Sequence, residues 1–257
     1  MHLVTVIYAA YGSISLFLYL VVFIIIYRLG TKHLNTAFSK LIILYSIVNM
    51  ISYLNSWFSH RLRIEPIAWP VYESLNSFDG LRNFLTFIMP LTNYNQSVCN
   101  LMLTFNRFTA ISFPFRSQSV ILSSVIFASA SACSRLPMFT VWKFKNNTYL
   151  IEHTINLNAF WYQIGFCATM LSIGSVFNVI SVLKLRGGAK SIKDTEWSFF
   201  FVALCTFLAE FANVLMLTGK QISQSFGYSD LWIAFNVGSP FVTDVCSLGL
   251  PYYLLLV

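Results

Sequence analysis

The sequence predicts an all-α membrane protein, a bundle of seven transmembrane helices with the N-terminus outside and the C-terminus inside. Three observations lead to this fold class: the composition, the spacing of the charged residues and the distribution of Lys and Arg. Of the 257 residues, 57% are hydrophobic and only 10% are charged, whereas about a quarter of the residues of a soluble domain are charged. Together with a mean hydropathy of +0.68, this composition excludes an ordinary soluble domain.

Seven apolar stretches define the predicted helices. Each stretch is 18 to 30 residues long and lacks acidic, basic and histidine residues, apart from Glu210 and Asp244. Because about 20 apolar residues cross a bilayer, each stretch predicts one helix. The helices are expected at about 3–27, 38–59, 83–108, 118–142, 157–183, 197–219 and 231–257. The connections are short, so residues 1–257 are expected to form a single seven-helix domain.

The first and fourth stretches need a separate justification. The first has no charged segment before it and no small-residue cleavage site, so we expect a retained helix rather than a signal peptide. The fourth is the shortest and is rich in Ser and Ala. We expect this helix to continue past Arg135 to about Trp142, with Arg135 snorkelling or facing the bundle.

Lys and Arg are distributed unevenly between alternate connections, which predicts the orientation. The first, third and fifth connections hold nine basic residues in 36 positions, whereas the second, fourth and sixth hold seven in 53. Short cytoplasmic loops are enriched in Lys and Arg. Arg28 and Lys32 also follow the first helix rather than precede it. The odd-numbered connections and the C-terminus are therefore expected inside.

A sequon, Asn146-Asn147-Thr148, lies in the fourth connection, which this orientation places outside. The motif predicts a glycosylation site at Asn146. A chance match to the short motif is the alternative.

Polar residues recur on the third predicted helix at helical spacing. Asn93, Gln96, Asn100 and Thr104 follow one another every three or four residues and lead to Arg107 at the inner boundary. Polar groups in hydrocarbon are costly, so this face is expected to turn towards the bundle. Two interpretations stay open: the amides Asn93, Gln96 and Asn100 line a ligand cavity, or they join helices through hydrogen bonds.

Two acids stand alone in apolar stretches, and an intramembrane acid indicates a functional site. Counting from the ends of the stretches places Glu210 in the outer third of the core, at the depth of a ligand. Interhelical bonding with Asn213 or a neighbouring residue is the alternative. The same count places Asp244 near the midplane, level with Asn49 on the second helix. We therefore predict a ligand contact at Glu210 and a polar switch formed by Asn49 and Asp244.

The residue sets that enzymes use within a membrane are missing from the sequence. All four histidines lie outside the apolar stretches, so neither a catalytic triad nor a zinc site can be assembled. No enzyme activity, cofactor or metal is expected. The net charge of +7 does not indicate nucleic acid, because the basic residues flank the helices singly. A receptor is favoured; a small-solute transporter or channel is the alternative, and a non-signalling scaffold is the third.

The inner end of the third predicted helix carries a recognisable pattern. It contains Leu103, Asn106-Arg107-Phe108, Ile111 and Pro114. The pattern resembles the L-x-x-N-R-F-x-x-I-x-x-P signature of nematode serpentine chemoreceptors of the class gamma superfamily, either class gamma itself or the related class V. Softer similarity extends over nearly the whole chain.

This resemblance implies a function. It implies a seven-helix receptor in the plasma or ciliary membrane of sensory neurons, which detects a small-molecule ligand and signals to a heterotrimeric G protein. Arg107 would take the place of the arginine that G-protein-coupled receptors use at the inner boundary. Asn106 stands where the rhodopsin-like pattern has an acid, so a lock between Arg107 and its preceding residue is not expected.

Overall fold

The structure, a computed structural model, describes residues 3–29, 36–112, 130, 140–145, 148–153, 158–187 and 190–255. These residues are nearly all helical, as predicted. The elements in chain order are α1 (Leu3–Leu29), α2 (Thr36–Ser56), α3 (Trp69–Asn76), α4 (Asp79–Ser112), the strands β1 (Thr140–Lys145) and β2 (Thr148–His153), then α5 (Asn158–Gly187), α6 (Lys190–Phe226) and α7 (Ser229–Leu255).

Four of the described helices are long and apolar enough to cross a membrane. Their spans are Thr5–Arg28, Phe38–Arg61, Phe160–Leu185 and Phe200–Phe226. These spans support the predicted membrane setting. The total of seven helices and the direction of the termini stay predictions.

Helix α4 is the central helix of the described bundle. It packs against α2, α5 and α6, and every residue from 92 to 100 is buried. Its polar residues therefore face protein rather than lipid, which explains how a helix that is less apolar than its neighbours can lie inside a membrane bundle.

The predicted fourth helix lies mostly outside the described residues. Residue 130 is helical, but the expected end of this helix at Trp142 is wrong. Thr140 already pairs with His153 in an antiparallel hairpin, whose register runs to Lys145 opposite Thr148. The sequence of β1, Thr-Val-Trp-Lys-Phe-Lys, is rich in the β-branched and aromatic residues that favour strands.

Helix α2 ends in an irregular segment. A π-helical turn, Trp57–Arg61, is followed by the 3₁₀ turns Leu62–Ile64 and Pro66–Ala68. The short helix α3, which the sequence did not predict, follows directly. Tyr72 of α3 donates a hydrogen bond to the backbone oxygen of Phe58 at 2.6 Å. Burial raises the pKa of Tyr72, so this phenol stays protonated and can keep donating.

These segments meet at one end of the bundle, which we call the hairpin end. It comprises β1, β2, α3 and the segment 57–68. Trp69 and Phe144 pack edge to face with ring centroids 4.7 Å apart, and Thr5 at the start of α1 donates a hydrogen bond to Glu65 at 2.5 Å. The N-terminal end of α1 therefore lies on the same side as the hairpin.

Candidate functional site

A network of buried amides and hydroxyls joins four helices. Gln96 Nε2 donates to Asn49 Oδ1 at 2.9 Å and to Ser247 Oγ at 3.1 Å. Asn49 Nδ2 donates to the Tyr19 hydroxyl at 3.2 Å, and that hydroxyl donates to the backbone oxygen of Ser247 at 2.5 Å. We call Tyr19, Asn49, Gln96 and Ser247 the amide network. It connects α1, α2, α4 and α7, so the Gln96 amide joins helices.

Glu210 lies beside this network, on α6. Its side chain is 2% exposed and accepts a hydrogen bond from Ser97 of α4. The Ser97 hydroxyl is also 3.3 Å from Cys167 of α5. In the described part of the chain, Glu210 Oε2 has no hydrogen-bond partner. The bond to Ser97 joins α6 to α4, which is the interhelical bonding given as the alternative. Asn213, the partner named for it, is buried one turn further along α6.

A small cavity lies next to Glu210, between α4, α5 and α6. Its polar lining comes from α4 and α6, and its apolar lining includes Met170, Leu171 and Phe207. Asn100 of α4 is held in place by Thr206 of α6: Thr206 Oγ1 donates to Asn100 Oδ1 at 3.1 Å, and Asn100 Nδ2 donates to the Thr206 backbone oxygen at 3.3 Å. The polar lining residues are Ser97, Asn100, Thr104 and Glu210.

The four predicted ligand-site residues are therefore neighbours along two helices. Asn100 and Glu210 line the cavity, whereas Gln96 is engaged in the amide network. Asn93 is buried on α4, three residues before Gln96.

Asp244 has a partner that the sequence did not suggest. It forms a buried ion pair with Arg61 and accepts a hydrogen bond from Tyr11. Asn49, the expected partner, instead bonds Gln96 and Tyr19. The π-helical turn at the end of α2 makes the difference, because it ends at Arg61 and this side chain is turned inward, to 2% exposure.

Three aromatic rings surround the Arg61 guanidinium. Its carbon lies 4.7 Å from the Tyr8 ring, 5.2 Å from Tyr53 and 5.5 Å from Trp57. Sequence reasoning missed this site because Arg61 follows an apolar stretch, which is typical of a solvated flanking residue. The aromatic residues at 53 and 57 were the available signal, since they lie one and two helical turns before Arg61.

The order of the two acids along the bundle differs from the order expected. Helix α7 runs away from the hairpin end, and Asp244 precedes Ser247 of the amide network by three residues. Asp244 therefore lies nearer the hairpin end than that network, while Glu210 lies beside it through Ser97. The reason is that α6 continues to Phe226, past the predicted end at Gly219, so Glu210 is further from the end of its helix than the apolar stretch implied.

Arg107 lies towards the opposite end of the bundle. Its side chain is buried, and its guanidinium carbon is 3.6 Å from the ring centroid of Phe38 on α2. This packing places the arginine against a neighbouring helix near the end of α4. Asn146 lies outside the described residues.

The described residues contain no group of three or more His, Cys, Asp or Glu side chains that could hold a metal ion.

The comparisons with known proteins identify a family. A model described as Srg family chemoreceptor matches residues 5–257. No curated protein matches the chain.

Proposed function

Because the chain belongs to the Srg family of chemoreceptors, we propose that it detects a small-molecule ligand and signals to a heterotrimeric G protein. The family match confirms the resemblance to a nematode serpentine chemoreceptor. The proposal therefore starts from a chemosensory membrane receptor. Family membership also favours a receptor over the alternative of a small-solute transporter or channel. We further propose that the receptor works in the plasma or ciliary membrane of sensory neurons.

The ligand is proposed to bind beside α4, contacting Asn100 and Glu210 in the cavity and Asn93 and Gln96 further along the same helix. The observation that carries this proposal is the cavity at Glu210, where a buried acid with an unpartnered oxygen and a positioned amide share a lining with apolar side chains. Mixed linings of this kind, mostly apolar with a few oriented polar groups, are typical of small-molecule sites. The cavity is small, so a ligand would have to separate α4 from α6.

The signal is proposed to pass through the amide network to Arg107. Asn49 lies in that network, which ties α4 to α1, α2 and α7. Asp244 lies one turn along α7 from the network and ties the same helix to α2. A ligand that moves α4 would therefore strain the amide network directly, and would strain the pair of Arg61 and Asp244 only through α7. This arrangement supports the polar-switch role for Asn49 and Asp244. Arg107 is proposed to leave Phe38 and contact the G protein.

The coupling step can be tested with substitutions at Arg107. Receptor-expressing cells would be screened for calcium responses to volatile and water-soluble compounds, and an active compound would then be applied to Arg107→Ala and Arg107→Lys. We expect Arg107→Ala to abolish the response at near-normal surface expression, and Arg107→Lys to signal weakly, because lysine lacks the planar fork of donors. Lys184→Ala is the matched control, an exposed basic residue at the same end of the bundle, and should respond normally.

Two outcomes would contradict this proposal. Full signalling by Arg107→Lys would favour anchoring of the helix by charge alone. Compound-dependent uptake or current that persists without a G protein would favour the transporter or channel.

A further inference from the structure

The cavity between α4, α5 and α6 has a lining whose polar groups are not satisfied. Glu210 Oε2 and Thr104 Oγ1 are both buried and lack a hydrogen-bond partner among the described residues. Both side chains line the cavity together with Ser97 and Asn100. Buried polar groups in proteins nearly always have partners, so two unsatisfied oxygens around one cavity indicate an occupant.

The occupant must suit a negative lining. No basic side chain in the described part of the chain pairs with Glu210, whereas Asp244 has Arg61. An ionised carboxylate in this position would be a buried charge with one hydrogen bond, which is strongly unfavourable unless a cation compensates it. A neutral carboxyl group could donate a hydrogen bond from Oε1 to the Ser97 hydroxyl, but Glu210 Oε2 and Thr104 Oγ1 would still lack partners.

The atoms that could ligate a cation and the size of the cavity limit which cation could bind there. The polar side chains that line it, Glu210, Thr104, Ser97 and Asn100, all carry an oxygen atom, and the Asn100 nitrogen is engaged with the Thr206 backbone oxygen. Oxygen ligands suit hard cations. The cavity has room for about one water-sized particle. Calcium and magnesium sites use several carboxylates or a nearly complete shell of water, and this cavity has one carboxylate and little space.

We propose that this cavity binds a monovalent metal cation of the size of Na⁺, held by Glu210 and Thr104 with Ser97 and Asn100 completing the oxygen shell. The bound ion ties α6 to α4 and neutralises the buried acid in the unliganded receptor. The cavity is the one in which the chemical ligand is proposed to bind, so the ion occupies it only in the unliganded receptor. The sodium proposal does not rest on that ligand, and its test needs none.

The test is the thermal stability of the purified receptor in NaCl compared with choline chloride at equal ionic strength. An ion that binds only the folded state raises the unfolding temperature, by about 3–6 °C at a concentration tenfold above its dissociation constant. We expect a saturable rise with Na⁺ that is lost in Glu210→Gln and that needs more Na⁺ in Thr104→Val. Asp244→Asn is the matched control, because it removes an equally buried acid outside the cavity and should keep the rise.

A measurement on the unmodified receptor keeps the proposal testable if a variant fails to fold. Radioactive sodium should bind saturably, and unlabelled NaCl but not choline chloride should displace it. Equal unfolding temperatures in NaCl and choline chloride, an unchanged sodium effect in Glu210→Gln, or a rise only with MgCl₂ would each overturn the proposal.

Discussion

The ion pair of Arg61 and Asp244 shows how single residues hold the hairpin end of the bundle together. Both side chains are almost completely buried. Tyr11 also donates a hydrogen bond to Asp244, and Arg61 also donates one to Ser56. Breaking a buried pair leaves an uncompensated charge, which is more costly than losing both partners.

We expect Asp244→Ala to destabilise the receptor by about 3–5 kcal/mol because Arg61 loses its counter-charge. Removing both partners in a double variant with Arg61→Met should cost less than Asp244→Ala alone. Thermal unfolding and surface expression would measure both. Asp79→Ala is the control: it breaks the Arg82 pair, in which the aspartate side chain is 78% exposed, so the cost should be about 0–1 kcal/mol. If the double variant were less stable than Asp244→Ala, the loss of stability in Asp244→Ala would not come from an unpaired Arg61.

A glycine on α1 permits the close approach of α2. A Cβ at Gly12 would lie 1.6 Å from the Tyr53 hydroxyl, and Tyr53 is fixed by a 3.1 Å hydrogen bond to the Tyr8 backbone oxygen. Gly12→Ala is therefore expected to cost about 1–3 kcal/mol through overpacking. Gly165→Ala should cause no loss, because nothing lies within 4 Å of a Cβ there. Equal melting temperatures for the two variants would contradict the tight contact.

At the scale of the elements, α4 organises the bundle. It contributes Gln96 to the amide network, Ser97 and Asn100 to the cavity, and Arg107 to the contact with Phe38. The sequence predicted this polar face from its helical spacing. It did not predict that the consecutive residues Gln96 and Ser97 would belong to two different sites, the amide network and the cavity. That depends on which neighbouring helix each side chain contacts.

Replacing Gln96 tests this organisation. Gln96→Leu should destabilise the bundle by about 1–3 kcal/mol, because Asn49 Oδ1 loses its donor within the core. Gln221→Leu is the control, since Gln221 is equally buried but its Nε2 has no hydrogen-bond partner in the described residues. This control should be neutral or stabilising in thermal unfolding. Losses of the same size in both variants would mean that side-chain packing, not the amide network, is being measured.

At the scale of the whole molecule, the described chain buries many polar side chains and exposes many large apolar ones. The core contains acids, amides and hydroxyls, whereas large apolar side chains such as Phe17, Val179 and Leu183 are more than half exposed. A soluble protein does not expose apolar surface this extensively, so the outer face of these helices is suited to lipid.

The predicted orientation places the hairpin end outside, and two variants test it. Asn146→Gln should remove a glycan and increase mobility on a gel if the sequon is used. Ser191→Cys, at the other end of the bundle, should resist an impermeant thiol reagent in intact cells, because the fifth connection is predicted to be cytoplasmic. Labelling of Cys at this position from outside would reverse the orientation.

The amino-acid sequence alone determined the membrane class and the family resemblance around Arg107. It also indicated the six long helices that the structure describes, and most of the predicted helix ends lie within a few residues of the observed ones. These features depend on local composition and on helical spacing, which a sequence shows directly. The apolar stretches also singled out Glu210 and Asp244, both of which the structure buries.

Only the tertiary structure decided the partners of those acids. The pairing of Asp244 with Arg61 depends on a π-helical turn, and the position of Glu210 beside Ser97 depends on how far α6 extends past its apolar stretch. The hairpin, too, replaced the end of a predicted helix because Thr140 meets His153. Such contacts join residues that are far apart in the chain, so their energies depend on packing between helices rather than on any local pattern.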